Sequence, residues 1–146
     1  MCGLAGGWFR GPFPGLSPAL AAIAHRGPDG RGEYIDDVSG VALGHARLAI
    51  IDLSEAGAQP MSSEDGRITL VFNGEIYNYR ELRKELEARG VVFRGASDTE
   101  VVLHLYVEDG LEMLPRLNGI FAFAVHDTRS GELLLARDAL GVKPLY

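Results

Sequence analysis

Gly119-Ile120-Phe121-Ala122-Phe123-Ala124-Val125-His126-Asp127 is apolar at both alternating sets of positions. A strand that is half exposed alternates apolar with polar residues, so a run apolar on both sides predicts a strand covered on both faces. A buried strand of a layered sandwich fits this best. Thr128-Arg129-Ser130-Gly131 is a four-residue turn, and Glu132 to Arg137 reads as the returning hairpin partner.

Working outward, Gly3 to Phe9 is a short apolar run that predicts a strand, and Pro18 to His25 is a short helix with Leu16, Leu20 and Ile23 at helical spacing. Arg26-Gly27-Pro28-Asp29-Gly30 stops it with strong turn residues. Val41 to His45 and Arg47 to Ile51 read as two consecutive strands, and Ile68 to Phe72 as another. Tyr79 to Arg89 is an amphipathic helix with Leu82 and Leu86 inward, ended by Gly90. Ser97 to Glu108 is a second, with Val101, Val102, Leu105 and Tyr106 on one side and Gly110 as its stop. Leu111 to Leu117 adds a helical turn despite Pro115. Strands cluster early and late with helices between, an α+β pattern in a single domain.

The 146 residues are 47% hydrophobic and 23% charged, which fits a globular domain with a real core. The net charge of −6 is free of basic runs, which argues against nucleic acid or anionic lipid as a main partner. No apolar stretch is long enough to cross a bilayer, and the start lacks the order of a secretory signal. One cysteine excludes internal disulfides and multi-cysteine metal sites. His25, His45, His104 and His126 lack ligand spacing and read as structural or surface residues. The expectation is a cytoplasmic enzyme or binding domain, and twelve arginines against two lysines hint at a GC-rich bacterial genome.

The lone cysteine is Cys2. Removal of Met1 would give one residue both a thiol and a free α-amine, a nucleophile and a base together. An α-amine titrates near ~7.7–8.0 and a thiol near ~8.5, so the amine can take the thiol proton at neutral pH. An ordinary unpaired cysteine is the alternative. Asn73-Gly74 supplies an amide side chain and an unobstructed N–H, suitable donors to an oxyanion, and is equally the strongest two-residue signal for a hairpin turn. Arg47 projects from a largely apolar strand and calls for a carboxylate, belonging either to the protein or to a substrate. Ser97-Asp98-Thr99-Glu100 is a capping box that accounts for Ser97 and Glu100. Asp98 is left over, a first-turn acid able to receive an ammonium.

Met1-Cys2-Gly3-Leu4-Ala5-Gly6, His25-Arg26-Gly27-Pro28-Asp29, the run from Gly44 to Asp52, Gln59-Pro60-Met61, the run from Phe72 to Tyr79, Ser97 to Glu100, and the run from Arg137 to Tyr146 together resemble the class II (type 2) glutamine amidotransferases. These are N-terminal-nucleophile hydrolases, and the likeness is to the glutaminase domain of glutamine-hydrolysing asparagine synthetases. The resemblance implies a four-layer αββα sandwich, with Cys2 attacking the glutamine amide and its α-amine serving as base and then acid. It implies Asn73 and Gly74 at the oxyanion and Arg47 on the substrate α-carboxylate. Asp98 with Glu75 would take the α-ammonium, and Leu48, Ala49, Ile50 and Ile51 would line the pocket. L-glutamine is the implied substrate and a synthetase domain or subunit the implied partner. A homodimer stays open. No cofactor is expected in these residues, ATP and Mg belonging to the synthetase part. The resemblance further implies a domain incomplete at its C-terminus, without the Ser-Gly-Gly-x-Asp-Ser loop of that part. Two alternatives stand beside this reading: a relative amidating another carboxylate, and a non-catalytic fragment.

Overall fold

The computed structural model describes residues 2–11 and 13–146. Two antiparallel sheets face one another. The first has the order β1-β3-β2, from Gly3–Trp8 (β1), Gly30–Asp36 (β2) and Val41–Arg47 (β3). The second has the order β4-β5-β6-β7, from Met61–Ser62 (β4), Ile68–Ile76 (β5), Gly119–Asp127 (β6) and Glu132–Arg137 (β7). Helix α1 (Ser17–Ala22) covers the outer face of the first sheet, while α2 (Tyr79–Ala88) and α3 (Asp98–Asp109) cover the outer face of the second.

The layers follow from side-chain alternation. On β3, Val41 and Leu43 point inward to meet Val71 and Ala124 of the opposite sheet, while Ala42 points out against Leu16 and Leu20 of the α1 region. On β5 and β6, Ile68, Leu70, Phe72, Phe121, Phe123 and Val125 face the helices, where they meet Leu82, Leu86, Val101, Val102 and Leu105. Strand β6 is therefore covered on both sides, as its doubly apolar sequence predicts. The order helix, sheet, sheet, helix is the αββα sandwich.

Three local expectations are corrected. Residues 48–51 do not form a strand: the neighbours of β3 stop at the pairs Gly3 with Ala46 and Gly30 with Arg47. Beyond them the Leu48 N–H goes to Cys2 Sγ (3.3 Å) and the Ala49 N–H to Asp29 Oδ2 (2.9 Å), so side chains replace the sheet. Asn73-Gly74 is not a turn either. Both lie inside β5, which runs on to Ile76 because β6 pairs with it along its whole length. Residues Gly30 to Asp36, left outside any expected strand, form β2. Their alternation of exposed and half-buried residues marks the open face of an edge strand, a weaker signal than an apolar run.

The helix caps come out nearly as expected. Ser97 Oγ accepts the Glu100 N–H at 3.2 Å. The buried Glu100 carboxylate does not return to Ser97, however; it accepts the N–H groups of Arg94 (2.7 Å) and Gly95 (2.9 Å), tying down the preceding loop. Among the described residues, no helix is long and apolar enough to cross a membrane.

Candidate active site

A cavity of about 140 Å³ opens at the ends of β1, β3 and β5. Its walls contain Cys2, Arg47, Leu48 to Ile51, Asn73, Gly74, Glu75 and Asp98, so every site residue expected from the sequence reaches one space. These come from four separate segments, brought together by the two sheets and the start of α3. A larger cavity of about 380 Å³ between the β1 and β7 edges shares only Asn73 with it.

Cys2 stands just before β1, half-buried, with Sγ held 3.6 Å from the Leu48 carbonyl and 3.3 Å from the Leu48 N–H. Arg26 Nε donates to the Cys2 carbonyl at 3.1 Å, fixing the backbone of Cys2. Met1, whose removal would free the Cys2 α-amine, lies outside the described residues.

Arg47 has no carboxylate within ion-pair distance among the described residues. Its Nη2 instead donates to the backbone carbonyls of Asp52 (2.6 Å) and Ser54 (2.9 Å). Neutral carbonyls orient the guanidinium without cancelling its charge, which leaves the cation available to an anionic ligand. Asp52, the neighbouring acid, is itself occupied: it accepts from Ser54 N and Oγ, and its Oδ2 accepts the Ala96 N–H at 2.8 Å. Those bonds hold its carboxyl below the usual range.

The edge of β5 decides where the Asn73 and Gly74 donors point. The Phe121 N–H donates to Asp138 Oδ2 and its carbonyl accepts the Asp138 N–H, so Phe121 turns its backbone polar groups away from its partner Gly74. Gly74 consequently aims its own N–H at the opposite edge, as do Phe72 and Ile76, two residues to either side. Strand β4 pairs only with Thr69 and Leu70 and does not reach them. The Phe72 N–H is taken by Gln59 Oε1 (2.6 Å) and the Ile76 N–H by Asp98 Oδ2 (3.0 Å). Between them the Gly74 N–H faces the cavity. The Asn73 carboxamide, though 92% buried, has no hydrogen-bond partner among the described residues.

Asp98 is 95% buried. Burial raises its pKa above the ordinary carboxylate value, and the Glu75 charge adds to the rise, while bonds from Ile76 N–H and its own helix start oppose it. Arg47 and Lys143 thus share the cavity with Asp52, Glu75 and Asp98, a mixture of cations and acids of the kind that complements an α-amino acid. Sequence reasoning passed over Asp52, Gln59, Thr99, Ile120 and Lys143, which also line this space. Asp52 carried a signal, an acid two residues before Ser54 in an Asx turn. Lys143 carried none, since it arrives only because Asp138 folds residues 138–143 back by accepting the Val142 and Lys143 N–H groups. Among the described residues no cluster of three or more metal-ligating side chains occurs.

The model of the family described as "Glutamine amidotransferase domain" matches residues 1–146. The chain belongs to this family. It is 43% identical to asparagine synthetase [glutamine-hydrolyzing] 1 of Bacillus subtilis over the whole of this chain and 24% of that protein. It is 47% identical to amidase chry2 of Gibberella zeae, over 90% of this chain and 19% of the other. The chain thus spans about a fifth to a quarter of the length of these relatives. Among solved structures, the glutamine phosphoribosylpyrophosphate amidotransferase of Bacillus subtilis matches with a TM-score of 0.69 at 25% identity, covering 82% of this chain and 33% of that one. The glutamine amidotransferase domain seen here is therefore of the kind found at the N-terminus of asparagine synthetases, on the N-terminal-nucleophile sandwich.

Proposed function

We propose that this domain hydrolyses L-glutamine to L-glutamate and ammonia, with Cys2 as nucleophile. The observation that carries the reading is the arrangement about one cavity of the Cys2 thiol, the free Asn73 amide and Gly74 N–H, the charge of Arg47 and the buried Asp98. Arg47 binds the α-carboxylate through the guanidinium face not used by the Asp52 and Ser54 carbonyls. Asp98, with Glu75 nearby, receives the α-ammonium, and Leu48 to Ile51 line the pocket.

With Met1 removed, the Cys2 α-amine accepts the thiol proton and the thiolate adds to the carboxamide carbon. The carbonyl electron pair moves to oxygen, where Asn73 and the Gly74 N–H stabilise it. Collapse breaks the C–N bond, and the ammonium of Cys2 gives its proton to the departing nitrogen as ammonia forms. A water, deprotonated by the same amine, then cleaves the glutamyl thioester and restores the thiol.

The ammonia serves ATP-dependent amidation of aspartate by a synthetase domain or subunit, the reaction class of the asparagine synthetases among the relatives. ATP and Mg bind in that part and not at this cavity. A coupled glutamate-release assay on the purified protein tests the glutaminase step: turnover that disappears in Cys2→Ala supports it. Folded protein that releases no glutamate contradicts it.

A further inference from the structure

We propose that Gln59 is a positioning residue that holds the oxyanion donors of β5 at a fixed distance from the amino-acid clamp of α3. The inference rests on the glutaminase reading above and adds a residue to it.

Gln59 is nine-tenths buried and uses both ends of its carboxamide. Oε1 accepts the Phe72 N–H at 2.6 Å, and Nε2 donates to Thr99 Oγ1 at 3.3 Å. Phe72 precedes Asn73; Thr99 follows Asp98. One side chain therefore spans from the oxyanion strand to the ammonium-binding helix start. It stands where a continued β4 would have supplied a backbone carbonyl, since that strand stops at Met61 opposite Leu70. Gln59 itself is seated by β2: a Cβ on Gly32 would lie 2.1 Å from the Gln59 carbonyl oxygen, so glycine is required there for the loop to come close.

The two ends are not equally dependent on it. Asp98 has its own anchor, the Ile76 N–H, and the helix behind it. The Phe72 N–H has only Gln59, its carbonyl being bonded to His45 Nε2 at 3.2 Å. Loss of the Gln59 acceptor leaves a buried amide unpaired one residue from Asn73 and two from Gly74, and the edge of β5 shifts to recover a partner. Donors aimed at an oxyanion tolerate little displacement. The loss then falls on the transition state, with the ground-state grip on the amino acid retained.

The test is steady-state glutaminase kinetics on the full-length protein and its Gln59→Met and Gln59→Glu variants, with the inhibition constant of L-glutamate measured on each. Met has similar length and makes neither hydrogen bond, whereas Glu keeps an acceptor for the Phe72 N–H. The expected result for Gln59→Met is a fall in kcat of at least about tenfold, with the glutamate inhibition constant within about threefold of the parent, and kcat recovered in Gln59→Glu. An unchanged kcat in folded Gln59→Met, or kcat and glutamate binding lost in parallel, overturns the proposal. If Gln59→Met does not fold, Gln59→Glu decides: parental kcat supports the role, and a tenfold loss contradicts it. Failure of the parent protein itself to hydrolyse glutamine refutes the glutaminase reading instead, and is distinguishable from either.

Discussion

Asp98 Oδ2 accepts the Ile76 N–H at 3.0 Å, two residues beyond Gly74 on the same edge of β5. One hydrogen bond thereby sets the distance between the Asp98 carboxylate, proposed to take the ammonium, and the Gly74 N–H, proposed to face the oxyanion. Because burial raises the pKa of Asp98, its ionised form carries a cost in the folded protein. For a carboxyl raised on folding, the unfolded chain releases its proton more readily, so stability is lost as pH rises through the folded pKa. Asp98→Asn keeps an acceptor for Ile76 and removes that cost. The variant is expected to melt no lower than the parent at pH 7 while its KM for glutamine rises steeply, checked by calorimetry beside kinetics.

Arg47 is oriented by two carbonyls and has no carboxylate within ion-pair distance among the described residues. Lysine offers one ammonium in place of a planar fork and cannot serve both the carbonyl anchors and a carboxylate. Arg47→Lys is expected to raise the KM for glutamine by about 30-fold or more, equivalent to about 2 kcal/mol of charge-assisted hydrogen bonding. Kcat changes much less. A KM within threefold of the parent would remove Arg47 from the substrate clamp.

Asn73 and Gly74 are expected to separate activity from stability. The Asn73 carboxamide has no partner among the described residues, so Asn73→Ala leaves the melting temperature nearly unchanged while kcat drops about 100- to 1000-fold. Gly74→Ala behaves otherwise. Its Cβ would lie 2.3 Å from the Ile120 carbonyl oxygen and 2.7 Å from Phe121 Cα, forcing β5 from β6. Overpacking of this kind costs about 1–3 kcal/mol, so melting temperature and activity fall together.

His45 is fully buried and donates through Nε2 to the Phe72 carbonyl, with Nδ1 unpartnered. Burial lowers its pKa to about 4, and the Arg47 charge contributes. A histidine lowered on folding stabilises the protein above its unfolded pKa near ~6.5, and that stability is lost as pH falls from there toward about 4. Each pH unit in this window costs about 1.4 kcal/mol. His45→Gln retains a donor to Phe72 without titrating. Urea unfolding at pH 7 and pH 5 is expected to show a shallower pH dependence in the variant; equal slopes would place the acid sensitivity elsewhere.

Much of this site is written in local chemistry. Cys2, Arg47, Asn73, Gly74 and Asp98 each stand out by a residue type that its surroundings do not need, and the doubly apolar run at 119–127 foretells the sandwich that assembles them. Less legible was anything decided by distant partners. Leu48 to Ile51 carry the apolar residues of a strand, yet Cys2 and Asp29 take the Leu48 and Ala49 N–H groups. Asn73-Gly74 has the residues of a turn, yet nine residues of pairing with β6 keep it extended. Gln59 has no local signature, because its role consists wholly of bonds to residues 13 and 40 positions away.

The central claim is that Cys2, with its α-amine freed, is the nucleophile of a formed glutamine pocket. Intact-mass analysis before and after treatment with a diazoketone analogue of glutamine, with a generic thiol alkylator as control, tests it most directly. The account predicts a parent mass lacking Met1 and one equivalent of analogue on Cys2, with labelling suppressed by excess glutamine. Retention of Met1, or labelling of Cys2 by the generic reagent alone, would contradict it.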